Sequence, residues 1–203
     1  MKPAGKKRRK SKRTIGVLYG GRSGEHDVSL CSAASVVAAL DKKKYDVVAI
    51  GIDRDGRWYV QDRPEMVADK NFGKILSLNK KGSWFVNHFE DRGKLHLYDL
   101  DSPGKKVTVD LVFPVLHGTY GEDGTVQGLL ELIRVPYVGV DVAGSAIGMD
   151  KDIAKRLLAQ AGIPVVPWMT VSRRDWQTRP QKILRGAHAQ FDPPVFVKPL
   201  CTG

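Results

Sequence analysis

Cysteine is nearly absent from this chain of 203 residues. Cys31 and Cys201 stand far apart, with no Cys-x-x-Cys step and no histidine cluster beside either. That excludes a disulfide framework and a structural zinc site, and a reduced, cytoplasmic protein is expected. Aromatic residues are also scarce, at 8%. No stretch reaches the roughly 18 uninterrupted apolar residues of a membrane helix. The apolar run "TIGVLYGG" lacks the length and the cleavage site of a secretion signal. The Gly-x-Gly-x-x-Gly dinucleotide fingerprint is missing too. What remains, 42% hydrophobic and 27% charged, is ordinary globular composition, enough for one core or for one domain and part of a second.

A formal charge of +11 suggests a nucleic-acid binder until the charge is located. Residues 1–13 hold eight Lys or Arg and no acid, which leaves 25 basic residues against 22 acidic ones beyond them. The folded part is therefore nearly neutral, and the basicity belongs to an arm expected to be disordered. Such an arm either touches nucleic acid, anionic lipid or ribosomes through phosphate or is a solvated terminus. The second reading is the plainer one, and nucleic acid is not an expected partner.

From Thr14 onward the pattern is that of an α/β fold. "TIGVLY" reads as a buried strand broken by Gly20-Gly21, and Leu30, Ala33, Ala34, Val37 and Leu40 fall on one helical face. "YDVVAIGI" is a second buried strand, so a parallel pair joined by a right-handed crossover is expected. Residues 53–106 read as an irregular, partly antiparallel insertion of short strands with an Asp-Gly turn. "VTVDLVFPVLHG" predicts one buried strand, "TVQGLLELIR" a helix burying Val126, Leu129, Leu130 and Ile133, and "VPYVGV" another strand. In "MDKDIAKRLLAQAGIP" Asp150 caps a helix, Ile153, Leu157 and Ala161 are expected to bury, and Gly162 and Pro164 end it. Trp168–Val171 and Val195–Val197 are predicted strands around a basic amphipathic segment. A domain boundary is expected near residues 145–150.

Three elements carry chemistry. In "YGGRSGEHDVSL" the glycines let the backbone turn tightly between strand and helix. Helix amino termini favour anions, yet Glu25 and Asp27 stand where a pyrophosphate would sit. These carboxylates either receive an ammonium ligand or merely complement the helix dipole. Asp53 ends the second strand, where a dinucleotide fold places an acid, but the missing fingerprint disfavours an oxidoreductase.

The second element, "LHGTYGEDGTVQG", makes a glycine-rich loop at a strand's carboxyl end, the edge where open α/β sheets bind ligands. His117 there is either structural or a proton donor and acceptor near neutral pH. Glu122 and Asp123 have helix capping as their default role. The third element pairs Lys151 with Lys198, point charges suited to nucleotide phosphates, flanking an incomplete α/β unit.

"GGRSGEHDVSL", "HGTYGEDGTVQG", "GSAIGMDK" and "VFVKP", in that order, resemble the amino-terminal part of the D-alanine–D-alanine ligase family, ATP-grasp enzymes of bacterial cell-wall synthesis. The resemblance runs from Ile15 to Gly203 and is weakest across residues 55–105. It implies a Rossmann-like, parallel-sheet amino-terminal domain over 14–148 after a basic tail at 1–13, followed by an incomplete ATP-grasp α+β subdomain over 149–203. It further implies that ATP, with magnesium, phosphorylates the carboxylate of one D-alanine and that the amine of a second attacks the acyl phosphate.

Residue by residue, the resemblance makes Glu25 the anchor of the first substrate's ammonium, with Ser29 supporting it. It places His117 near that substrate's carboxyl group and Lys151 and Lys198 on the ATP phosphates. It also implies that the chain stops at Gly203, before the serines of a phosphate-covering loop and before the magnesium ligands, so no metal site is expected within it. The expected function is that of a truncated ligase inactive alone. The alternative is a non-catalytic module that binds D-alanine or pairs with a ligase through a homodimer surface.

Overall fold

The computed structural model describes residues 12–87 and 93–201. The basic tail up to Ser11 and the last two positions, Thr202 and Gly203, lie outside the described residues. Strand β1 (Arg13–Gly20) is followed by helix α1 (His26–Ala39) and β2 (Tyr45–Ile52). β1 pairs parallel with β2, as the two apolar runs predict. β1 already begins at Arg13, and Lys12 pairs with Asp46 at 3.3 Å, inside the stretch expected to be a free arm.

The main sheet has four strands in the order β3-β2-β1-β9, with β3 (Trp58–Gln61) an antiparallel edge and β9 (Leu111–Pro114) parallel to β1. Successive residues of β1 point to opposite faces. Leu18 joins a layer with Ile52, Leu116, Val126 and Leu130, while Val17 and Tyr19 join one with Leu30, Ala33 and Val37. Helix α2 (Thr125–Leu132) and helix α1 thus cover opposite faces of one sheet. Burial on both faces is why these strands read as unbroken apolar runs.

The insertion is antiparallel, as expected. β4 (Met66–Asp69) and β5 (Gly73–Leu76) form a hairpin whose Leu76 closes the α1 layer. β6 (Trp84–Asn87), β7 (Leu95–Asp99) and β8 (Lys106–Val109) form a three-stranded sheet whose Leu95, Leu97 and Val109 close the α2 layer.

Several sequence expectations fail for identifiable reasons. "VTVDLVFP" is two strands, because Asp110 interrupts it. Its backbone N–H donates to Thr14 O at 2.9 Å and its carboxylate accepts from Thr14 N at 2.8 Å, which turns the chain from one sheet into the other. "VPYVGV" forms no strand beyond a single bridge between Val112 and Tyr137. Pro136 has no N–H to offer a ladder. Leu129 on α2 is exposed rather than buried. Helix α3 (Val142–Met149) escaped the sequence reading behind its two glycines, although Asp141 accepts from Gly144 N at 2.8 Å and caps it.

Beyond α3, Asp150 caps α4 (Lys151–Gln160) as predicted, and Gly162 ends it at φ +75°. But Ile153 and Leu157 are each 45% exposed and Ala161 is exposed too. Helices α5 (Arg173–Thr178) and α6 (Pro180–Gln190) form the amphipathic segment. Trp168–Val171 and Val195–Val197 run without strand partners among the described residues, leaving Phe196 and Val197 90% and 93% exposed. A strand needs a neighbour, and an apolar helix face needs a layer to cover it.

Two polar residues lock the sheet's carboxyl edge. Ser29, fully buried on α1, accepts from Gly20 N at 2.8 Å and donates to Val115 O, so one hydroxyl ties the ends of β1 and β9 to the helix. Asp53 ends β2 and organises the turn into β3. Burial opposes its ionisation, but the N–H groups of Arg57 and Asp55, the Tyr59 hydroxyl and the Lys80 charge outweigh burial and lower its pKa. Replacing Ser29 by Ala is expected to cost about 1–3 kcal/mol in urea unfolding, since it orphans two buried backbone groups. Asp53→Asn is expected to lower stability by a similar ~1–3 kcal/mol at pH 7. A carboxyl whose folded pKa lies below its ordinary 3.8 contributes fully above that value and loses the contribution as pH falls through the folded pKa. Urea melts should therefore show the wild-type advantage over Asp53→Asn shrinking once the pH drops below 3.8.

Candidate functional site

The site is assembled where the loop after β1 meets the loop after β9. Gly20 has φ +89°, and a Cβ there would stand 2.3 Å from Ile52 O, so only glycine lets β1 turn against β2. The next residues place Glu25 at the amino-terminal cap of α1. Its side chain makes no capping bond; instead one carboxylate oxygen hangs over Gly118, 2.8 Å from where a Cβ would be. Gly118 has φ +70°, so its missing side chain serves both the turn and the approach of Glu25.

Ser23 and Ser32, which the sequence reading passed over, hold the loops together. Ser23 Oγ donates to His117 O at 2.6 Å and accepts from Glu25 N at 3.2 Å. Ser32 Oγ lies 3.0 Å from His117 Nε2, which turns the imidazole toward α1. Glu25, Ser29 and Ser32 stand at i, i+4 and i+7 on one helix face. That spacing was the available signal, but His117 lies 85 residues beyond Ser32. Glu25 and His117 thus meet at the carboxyl edge of the sheet, the ring facing Ser32 of α1 while His117 also lines a hollow beside α2. Ser29 sits beneath them as a strap, its hydroxyl directed to Gly20 and Val115 rather than to the Glu25 carboxylate.

The surrounding charges are already engaged. Asp27 pairs with Arg54 at 2.9 Å. Glu122 accepts from Gly118 N at 2.7 Å, and Asp123 accepts from Tyr120 N at 2.8 Å and Thr125 N at 3.0 Å. Burial raises the Asp123 pKa, but these donors outweigh it and hold the carboxyl below its ordinary value. Glu25 makes no ion pair among the described residues. A carboxylate so placed, with donors and a ring beside it, suits a small cation.

Lys151 and Lys198 belong to the other part of the chain. Lys151 begins α4, and both its backbone N and its Nζ approach Leu200 O, at 3.3 and 3.4 Å. Cys201 Sγ lies 3.6 Å from Asp150; burial and then that carboxylate raise the thiol pKa. The final segment therefore folds back onto the start of α4 and carries exposed Lys198 with it. Asp152 binds the same region together, accepting from Arg156 Nε at 2.8 Å and from Trp168 Nε1 and Thr170 Oγ1 at 2.7 Å. The Arg156 hydrogen bond first, then those of Trp168 and Thr170, holds this carboxyl far below the usual range. Among the described residues no three His, Cys, Asp or Glu side chains cluster to hold a metal. No described helix is long and apolar enough to cross a membrane.

Comparison with known proteins gives this geometry a family. Residues 14–140 match the model for the D-ala D-ala ligase N-terminus, and residues 157–203 match that for the D-ala D-ala ligase C-terminus. A D-alanine–D-alanine ligase of Natranaerobius thermophilus is 41% identical over 93% of this chain and 50% of its own length. D-alanine–D-alanine ligase A of Escherichia coli K12 is 37% identical over 93% of this chain and 51% of its own. Among solved structures, the D-alanine–D-alanine ligase of Coxiella burnetii superposes with TM-score 0.70 at 40% identity, covering 86% of this chain and 49% of that one. The VanG D-Ala:D-Ser ligase of Enterococcus faecalis also gives 0.70, at 32% identity, covering 95% of this chain and 53% of that one. The chain spans about half the length of the curated relatives it matches. With residues 14–140 matched to the family model and the fold shared with solved ligases, this chain belongs to the D-alanine–D-alanine ligase family.

Proposed function

We propose that this chain supplies the first D-alanine-recognition wall of a D-alanine–D-alanine ligase, serving the dipeptide step of peptidoglycan synthesis in the cytoplasm. The observation that carries this reading is the meeting of the Glu25 carboxylate with the His117 loop over Gly118, inside the segment matched to the ligase family. Glu25 holds the ammonium of the first D-alanine by a charge-assisted hydrogen bond. His117, oriented by Ser32, stands beside that substrate's carboxyl group. Ser29 acts through the backbone, fixing the loop that carries Glu25. The two units divide at 148/149, a division favoured by the gap between the two matched segments.

Lys151 and Lys198 hold the ATP phosphates as point charges, and the Leu200 contact that draws the last segment onto α4 supports their acting as a pair. ATP, when bound, provides the phosphoryl group that activates the first carboxylate. No three His, Cys, Asp or Glu side chains cluster among the described residues, and none is assigned to magnesium. Phosphoryl transfer depends on positioning and on electrostatic stabilisation of the transferring group. On this reading Lys151 and Lys198 supply only part of that stabilisation, and the chain is proposed to be inactive by itself. Exposed Leu132 and Val140 on the α2–α3 side favour, as a further part of this reading, pairing with a second copy of the amino-terminal unit.

D-alanine-dependent ADP release by the purified chain is expected to stay at background; robust turnover overturns the inactivity. In calorimetric titration, Glu25→Gln is expected to weaken D-alanine binding by about ten- to a hundredfold, the effect of losing a hydrogen bond to a charged group. Unchanged affinity in that variant overturns the role of Glu25.

A further inference from the structure

A hollow adjoins the site from the α2 side. It has a volume of about 170 Å³ and opens at the carboxyl ends of β1 and β2. Its walls are apolar, formed chiefly by Ile52, Trp58, Leu116, Val126 and Leu129. Arg22 and Tyr120 stand with them, and the Arg22 guanidinium carbon lies 4.8 Å from the centre of the Tyr120 ring. Gly56 packs against this side chain, and a Cβ there would come within 2.9 Å of Arg22 Cδ. Gly20, Gly21 and His117 of the neighbouring site also line it, whereas Glu25, at the cap of α1, does not.

Two features define the occupant. A dry cavity of about 150 Å³ accommodates a benzene ring, so this hollow takes one aromatic ring, with Trp58 beside it. Arg22 makes no ion pair among the described residues, whereas Arg54 nearby is taken by Asp27. An arginine stacked on a ring by its face presents its N–H edge, the geometry that binds a carboxylate by two parallel hydrogen bonds. We infer that the Arg22–Tyr120 hollow is a binding site for a small aromatic carboxylate, adjoining the Glu25 carboxylate and sharing His117 with its site. The inference does not depend on the ligase reading.

Phenylacetate and its neutral counterpart phenylacetamide are the probes, read by saturation-transfer NMR and calorimetry on the full chain. Phenylacetate should bind about tenfold more tightly than phenylacetamide, as expected for a hydrogen bond to a charged group. Arg22→Gln should make the two equal, and Leu129→Trp, at an exposed position of the wall, should fill the hollow and abolish binding of both. Circular dichroism of both variants should match the parent. Absence of phenylacetate binding overturns the inference, as does equal binding of both probes to the parent chain. Displacement of phenylacetate by D-alanine also overturns it, because the hollow would then be part of the amino-acid site.

Discussion

The hydroxyl of Ser29 receives the N–H of Gly20 and gives its proton to the carbonyl of Val115, and through those two bonds a helix holds the ends of two neighbouring strands. β1 and β9 are parallel, so no hairpin joins their carboxyl ends. Their relative height is set by what bridges them from above. With Ser29 in place, the loop after β1 and the loop after β9 leave the sheet at one level, and Ser23 can reach His117 O. The nearness of Glu25 to Gly118 follows from that registration. A buried hydroxyl is suited to the task because it satisfies a donor and an acceptor at once.

The same economy governs the acids around the edge. Asp53, Glu122 and Asp123 are consumed by backbone N–H groups of the turns they shape, and Asp27 by Arg54. The carboxylates of Asp53 and Asp123 stay ionised because their donors outweigh the cost of burial. Glu25 alone in this group lies over a glycine rather than inside a turn, which leaves its charge to a ligand. Arg22 stands in the corresponding position for positive charge, stacked on Tyr120 instead of paired. Opposite charges with open valence therefore stand at one sheet edge.

The parts before and after residue 149 differ in kind. Before it, both faces of the sheet are covered, and Leu18, Ile50, Leu95, Leu97 and Leu130 are completely buried. After it, α4 carries its own cap and its own stop, yet Ile153, Leu157, Phe196 and Val197 remain exposed. Phe196 and Val197 each forgo roughly 1.5–3 kcal/mol of the stabilisation that full burial gives such side chains, and Ile153 and Leu157 about half of that. Local hydrogen bonds, above all those converging on Asp152, stand in for a core there.

Much of this was legible in the residues themselves. The apolar runs of β1 and β2, the helical face of α1, the cap at Asp150 and the stop at Gly162 are local chemistry, and the structure shows each of them. The glycine-rich loops and their neighbouring Glu25 and His117 marked the family, because such spacings restrict the backbone within a few residues. What the amino-acid order could not decide was anything that depends on a distant partner. The break at Asp110 comes from Thr14, and the orientation of His117 comes from Ser32. A periodic pattern tells which face of α4 is apolar but not whether a layer lies against it, so the expected burial of Ile153 and Leu157 fails. Side-chain period is a property of the chain; cover and convergence belong to the packed molecule, where elements far apart in sequence come to share one edge.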